Sequence, residues 1–124
     1  MLRVHQLHID DIAVLRLRGR MDPDGDQRLS TVIDLLLARG ARMIVLNIAA
    51  MPSADGRAIS ALLRSLHKVR DHGGDIWLVE PAGVDELMTM TALCVHFTVC
   101  ENEEEAIATI RRGSREESES PEAA

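Results

Sequence analysis

The stretch from Met43 to Arg70 constrains the fold more than any other, because a short apolar run there passes through a loop into an amphipathic repeat. Met43 to Ile48 is apolar apart from Asn47, rich in β-branched side chains and too short for a helix of ordinary length, so it reads as a strand buried on both faces. Pro52 supplies no amide hydrogen and closes that strand. Ile59, Leu62, Leu63, Leu66 and Val69 then recur at steps of three and four, on one helix face, while Arg57, Ser60, Arg64, His67 and Lys68 fall largely elsewhere. Ser53 and Asp55 stand where a side-chain oxygen can accept from the open amides of the helix's first turn, and capping is what Asp does best there. The same helix start is also a potential anion site.

The remaining chain extends this pattern in both directions. Residues 3–8 can form a short edge strand and Ile12 to Leu17 a better one, and the short turn at His8 to Asp11 favours an antiparallel hairpin, since a parallel pair needs a longer crossover. Gly19 ends the second strand, and the polar loop Arg20 to Asp26 leads into a helix carrying Leu29, Val32, Ile33, Leu36 and Leu37, which Gly40 terminates. His72, Gly73 and Gly74 break the helix that follows the central strand. Asp75 to Glu80 forms another strand closed by Pro81, Val84 to Ala92 a shorter helix, and Val95 to Cys100 a last strand. Glu103 to Arg112 forms a terminal helix, acidic early and basic late as its dipole favours, held to the body by Ala106, Ile107 and Ile110.

Strand and helix thus alternate, which implies a layered α/β domain with right-handed crossovers. The expected architecture is a single domain over residues 1–112, with a mixed, mostly parallel sheet, an N-terminal antiparallel hairpin and about four helices. Residues 113–124 offer no hydrophobic anchor and are expected to form a disordered acidic tail. With Trp77 and Phe97 as the only aromatics, the core must be aliphatic.

Charge and composition then narrow the function. The net charge is −6, and the tail supplies −3 of it through four glutamates against one arginine. No basic run and no aromatic stacking platform is present, so nucleic acid is not the expected main partner. No apolar span is long enough for membrane insertion and no leader pattern is visible, which makes the cytoplasm the expected location. Cys94 and Cys100 lack close ligand partners and are expected to be reduced core or near-core residues.

Enzymatic chemistries find no support in the spacing. There is no Walker A or dinucleotide glycine pattern, and Gly73-Gly74 lies at the wrong end of a strand to hold phosphate. Asp10 and Asp11 fall in the hairpin turn, away from the strand ends where an acyl-phosphate site gathers its carboxylates. His5, His8, His67, His72 and His96 form no metal-ligand motif, and no Ser, His and carboxylate can be given the roles of nucleophile, base and orienting group. No catalytic residue, metal or cofactor is assigned.

The order of elements, together with particular residues, resembles the STAS family, and within it the bacterial anti-sigma-factor antagonists. The resemblance runs from about Val4 to Ile110 and includes Gly19-Arg20-Met21-Asp22, similar to a family Gly-x-Leu-Asp, and Val45 to Leu63, similar to its central strand, signature loop and helix. It implies a noncatalytic module that binds an anti-sigma factor or serine-kinase protein, and a homodimer or a larger assembly is open to it. By the same resemblance the partner-binding residues are Asp22, Ser53, Asp55, Gly56, Arg57 and Ala58. The family's loop reads Asp-Ser-Ser-Gly, whereas this chain has Asp55-Gly56-Arg57-Ala58, so a glycine stands at the usual phosphoserine position. No phosphorylation site is therefore expected at residue 56, and Ser53, which precedes that position, and Ser60, a turn beyond it, are only weak substitutes. The alternative implied by this departure is a structural or adaptor subunit of a signalling or lipid-transport assembly; a small-ligand sensor is a third.

Overall fold

Residues with alternating or continuous apolar character assemble into one sheet with the strand order β1-β2-β3-β4-β5 in the computed structural model, which describes residues 1–52, 55–80 and 93–119. β1 (Arg3–Ile9) and β2 (Ile12–Arg18) form the antiparallel hairpin, paired from Arg3 opposite Arg18 to Ile9 opposite Ile12. Its turn is Asp10-Asp11, with Asp10 in the left-handed region at φ 56°, a conformation that aspartate tolerates better than most residues. β2 is parallel to β3 (Met43–Ala50), β3 to β4 (Asp75–Val79), and β4 to β5 (Thr98–Cys100).

The two faces of the sheet are covered by different helices. α1 (Pro23–Ala38) and α2 (Gly56–Asp71) lie over one face, where Leu29, Ile33, Leu62 and Leu66 pack on Leu15, Ile44, Leu46 and Leu78. α4 (Glu103–Glu119) lies over the other, where Ala106 and Ile110 join Ile12, Val14, Val45, Val79 and Cys100. Cover on both sides is why β2 and β3 read as nearly continuous apolar runs. At the foot of the sheet Gly74 approaches Arg42 so closely that a Cβ there would collide with the Arg42 carbonyl oxygen. The chain can therefore turn from α2 into β4 only with glycine at this point.

The structure departs from sequence expectation in the second half. Residues 93–96 are helical (α3), and the Phe97 amide donates to the Leu93 carbonyl at 2.8 Å, so the last strand is only Thr98–Cys100 rather than Val95 to Cys100. Val95, Phe97 and Val99 alternate as a strand would, but Leu93 and Phe97 bury together from one helical turn while Val95 is exposed. That turn also carries Cys94 to the surface, against the expectation of a core residue, while Cys100 is buried as expected. α4 runs past Arg112 to Glu119, because a single glycine at 113 among good helix formers lowers propensity without ending the helix. The helix expected over Val84 to Ala92 lies outside the described residues. Among the described residues no helix is long and apolar enough to cross a membrane.

Candidate functional site

Two connections leave the carboxyl ends of neighbouring parallel strands and run into helix starts, which brings the loops after β2 and β3 to one edge of the sheet. Each helix is capped by an aspartate. Asp22 Oδ1 accepts from the Gly25 amide at 2.6 Å, and Pro23 follows at the first helical position, where its missing N–H is no loss. Asp55 Oδ1 accepts from the Ala58 amide at 3.0 Å, while its carbonyl takes the first helical bond from the Ile59 amide at 2.9 Å. Both carboxylates therefore satisfy open helix amides.

The exposed residues at the start of α2 are Asp55, Gly56 and Arg57. Ala58 is fully buried and can offer a partner no side chain, and its amide is already held by Asp55. Ser60 is exposed a turn further on, and Ser53 lies outside the described residues. Gly56 is not a requirement of the fold: a Cβ built there meets nothing within 4 Å, and its φ is not in the left-handed region. A serine would fit at this position without moving a neighbour. Arg57 has no carboxylate within ion-pair distance among the described residues.

Behind this edge, α1 and α2 are tied together. Arg64 pairs with Asp26, and Lys68 reaches both Asp34 at 2.9 Å and the Ser30 hydroxyl at 3.0 Å. These links fix one capped loop relative to the other.

A second polar group lies on the opposite face, and local spacing does not reveal it. Arg16 of β2 donates through Nε and Nη2 to the two carboxylate oxygens of Glu103 at 2.8 and 2.9 Å, and Asn47 of β3 donates to the same carboxylate at 2.6 Å. The Arg16 hydrogen bond holds the Glu103 carboxyl below the usual glutamate range, partial burial opposes it, and Asn47 adds to the lowering. The guanidinium of Arg16 is raised by the same bond. Asn47 Oδ1 also accepts from the Ala49 amide at 2.9 Å, which fixes the side chain at both ends. The one sequence signal for this group was Asn47, the sole polar residue in the central apolar run. Among the described residues no three His, Cys, Asp or Glu side chains gather as a metal site.

The sequence from residue 4 to residue 106 matches the model of the STAS domain. The chain belongs to the STAS domain family. Its fold is shared with Thermotoga maritima TM1081, a candidate anti-sigma factor antagonist, at a TM-score of 0.76 and 21% identity over 87% of this chain and 94% of that one. Unphosphorylated SpoIIAA, an anti-sigma factor antagonist, aligns at 0.70 and 18% identity over 90% and 98% of the two chains. An anti-sigma factor antagonist from Mycobacterium paratuberculosis aligns at 0.73 and 17% over 90% and 95%. No curated relative matches the chain in sequence. At these identities the structural likenesses speak for the STAS fold, and the family match for membership.

Proposed function

We propose that this STAS domain is a noncatalytic anti-sigma-factor antagonist that holds an anti-sigma factor or serine-kinase partner at the edge formed by Asp22, the loop from Ser53 to Ala58 and the start of α2, and does so without phosphorylation of that loop. The observation that carries the reading is the exposed Asp55-Gly56-Arg57 turn at a capped helix start, with a glycine where the fold would accept a serine. A phosphate at residue 56 would bring nearly two negative charges beside Asp55, and glycine keeps that charge out permanently. Arg57, which has no ion-pair partner among the described residues, adds a cation that can meet a partner carboxylate with two parallel hydrogen bonds.

The test is binding to anti-sigma kinase domains from the same genome, with and without ATP, followed by intact-mass measurement. Tight binding that survives ATP with no added phosphate supports a constitutive antagonist. Arg57→Glu should weaken binding by about 1 to 3 kcal/mol if the arginine meets a carboxylate. Release on ATP with one added phosphate would sink the constitutive reading. The missing hydroxyl at residue 56 also suits a structural subunit of a larger assembly, and failure to bind every kinase domain would move the assignment there.

A further inference from the structure

We propose that the half of the sheet face beside α4 that no described residue covers binds a compact anion carrying two or more phosphate or carboxylate charges. This site lies on the α4 face of the sheet, whereas the capped loops lead into α1 and α2 on the other face, and it does not depend on the partner assigned to them. Alternation along the hairpin puts Arg3 and His5 of β1 on one face with Arg16 and Arg18 of β2, and the register sets Arg3 directly opposite Arg18 and His5 directly opposite Arg16. Like charges directly opposite each other in a hairpin destabilise it, so packing alone does not account for the arrangement. Arg16 is balanced by Glu103, but among the described residues no carboxylate pairs with Arg3 or Arg18. This concentration of cations occurs in a chain whose acids outnumber its bases by 20 to 14.

The cations surround a cavity. Arg3, His5, Arg16, Arg18, Asn47 and Ala49 line a space of about 440 Å³ that sits against the carboxyl ends of β2 and β3. That volume is in the range of small-molecule sites. Ala49 keeps it open, since a longer side chain on that face would fill it. Glu103 occupies only two of the N–H groups of Arg16, so the guanidinium is held in a fixed plane with further donors unspent. Arginine presents paired donors that match carboxylate and phosphate oxygens.

The neighbouring surface decides between a small anion and a large one. Immediately beside the cavity, Glu101, Glu103 and Glu104 line a second hollow that shares Arg16, Asn47 and Ala49. An acidic polypeptide or a nucleic-acid backbone extending past the arginines would meet that acidic rim and be repelled, whereas a compact anion avoids it.

The decisive experiment is calorimetric titration of the full chain with inorganic pyrophosphate and, separately, with citrate, at an ionic strength held constant with chloride. At least one of them should bind saturably at a single site, and their order tells whether phosphate or carboxylate is preferred. Arg18→Glu should lower that affinity by about tenfold or more through loss of a charge-assisted contact. Ala49→Leu should do so by filling the cavity with the charges left intact, and Arg57→Glu, which alters charge at the loop edge alone, should stay within about twofold of the parent. Arg3→Glu replaces either cavity variant that fails to show a cooperative thermal melt. Heats indistinguishable from added chloride for both anions, or equal affinity in parent and cavity variants, would overturn the site. Tighter binding of a polyglutamate peptide than of either small anion would overturn it in favour of an acidic polypeptide.

Discussion

The two faces of the sheet are built from the same strands and finish differently. Under α1 and α2 the inward residues remain apolar to the carboxyl ends, from Ala13 through Leu15 to Leu17 on β2 and from Ile44 through Leu46 to Ile48 on β3. Under α4 the same strands begin apolar, with Ile12 and Val14 or Met43 and Val45, and then change to Arg16, Arg18 and Asn47. The change falls where α4 begins, and Glu103, its first residue, spans the boundary by holding Arg16 and Asn47. On this face the strands are thus apolar where α4 covers them and carry Arg16, Arg18 and Asn47, with the small Ala49, beyond its first residue.

One substitution on each face can break or sharpen this contrast. Leu66→Ala on the closed face should lose about 2 to 5 kcal/mol in urea unfolding, the range for deleting most of a buried leucine. Ile107→Ala on the half-buried flank of α4 should lose distinctly less, about 1 kcal/mol, because less of its side chain is withdrawn from water, and an equal loss would show that the α4 face carries the fold as strongly as the closed one.

The boundary itself has a pH signature. The folded Glu103 carboxyl titrates below its unfolded value of about 4.3, so its stabilising effect is complete above that value and lost as pH falls through the folded one. Glu103→Gln should therefore be less stable than the parent by about 1 to 2 kcal/mol near neutrality, with the gap closing below about pH 4. A gap that persists at low pH would mean the carboxylate charge contributes nothing.

Smaller effects belong to the loop edge. Asp55→Ala should lower stability by about 1 kcal/mol through loss of the cap, so a weakened partner must be judged against that baseline. Gly56→Ser should change stability by no more than about 0.5 kcal/mol, read as the urea midpoint, because the added side chain meets open space.

Much of the closed face was legible in the sequence, since Leu62, Leu66 and Val69 repeat at helical spacing and the run from Met43 to Ile48 has the length and branching of a buried strand. The family and fold followed from the same stretch, together with the order of elements. The basic half-face was not legible. Arg3, Arg16 and Arg18 are charge-diluted along the chain, and only the hairpin register makes neighbours of residues fifteen positions apart, as with Arg3 and Arg18. The strand-like alternation at Val95, Phe97 and Val99 misled for a related reason: the burial of Leu93 with Phe97 is a tertiary choice that overrides a period of two.

From β2 to β5 each crossover steps to the next strand in the same direction. Chain order is therefore written along the sheet's edge as spatial order, with successive loops leaving strands about 5 Å apart. A molecule lying across that edge meets the loop after Arg18 and then the loop after Ala50, and next Glu80, just past the end of β4. Each loop is one position in a linear footprint. Lengthening or recoding one of them edits a single position of what the edge recognises and leaves the threading of the others untouched, so one scaffold can acquire new partners one loop at a time.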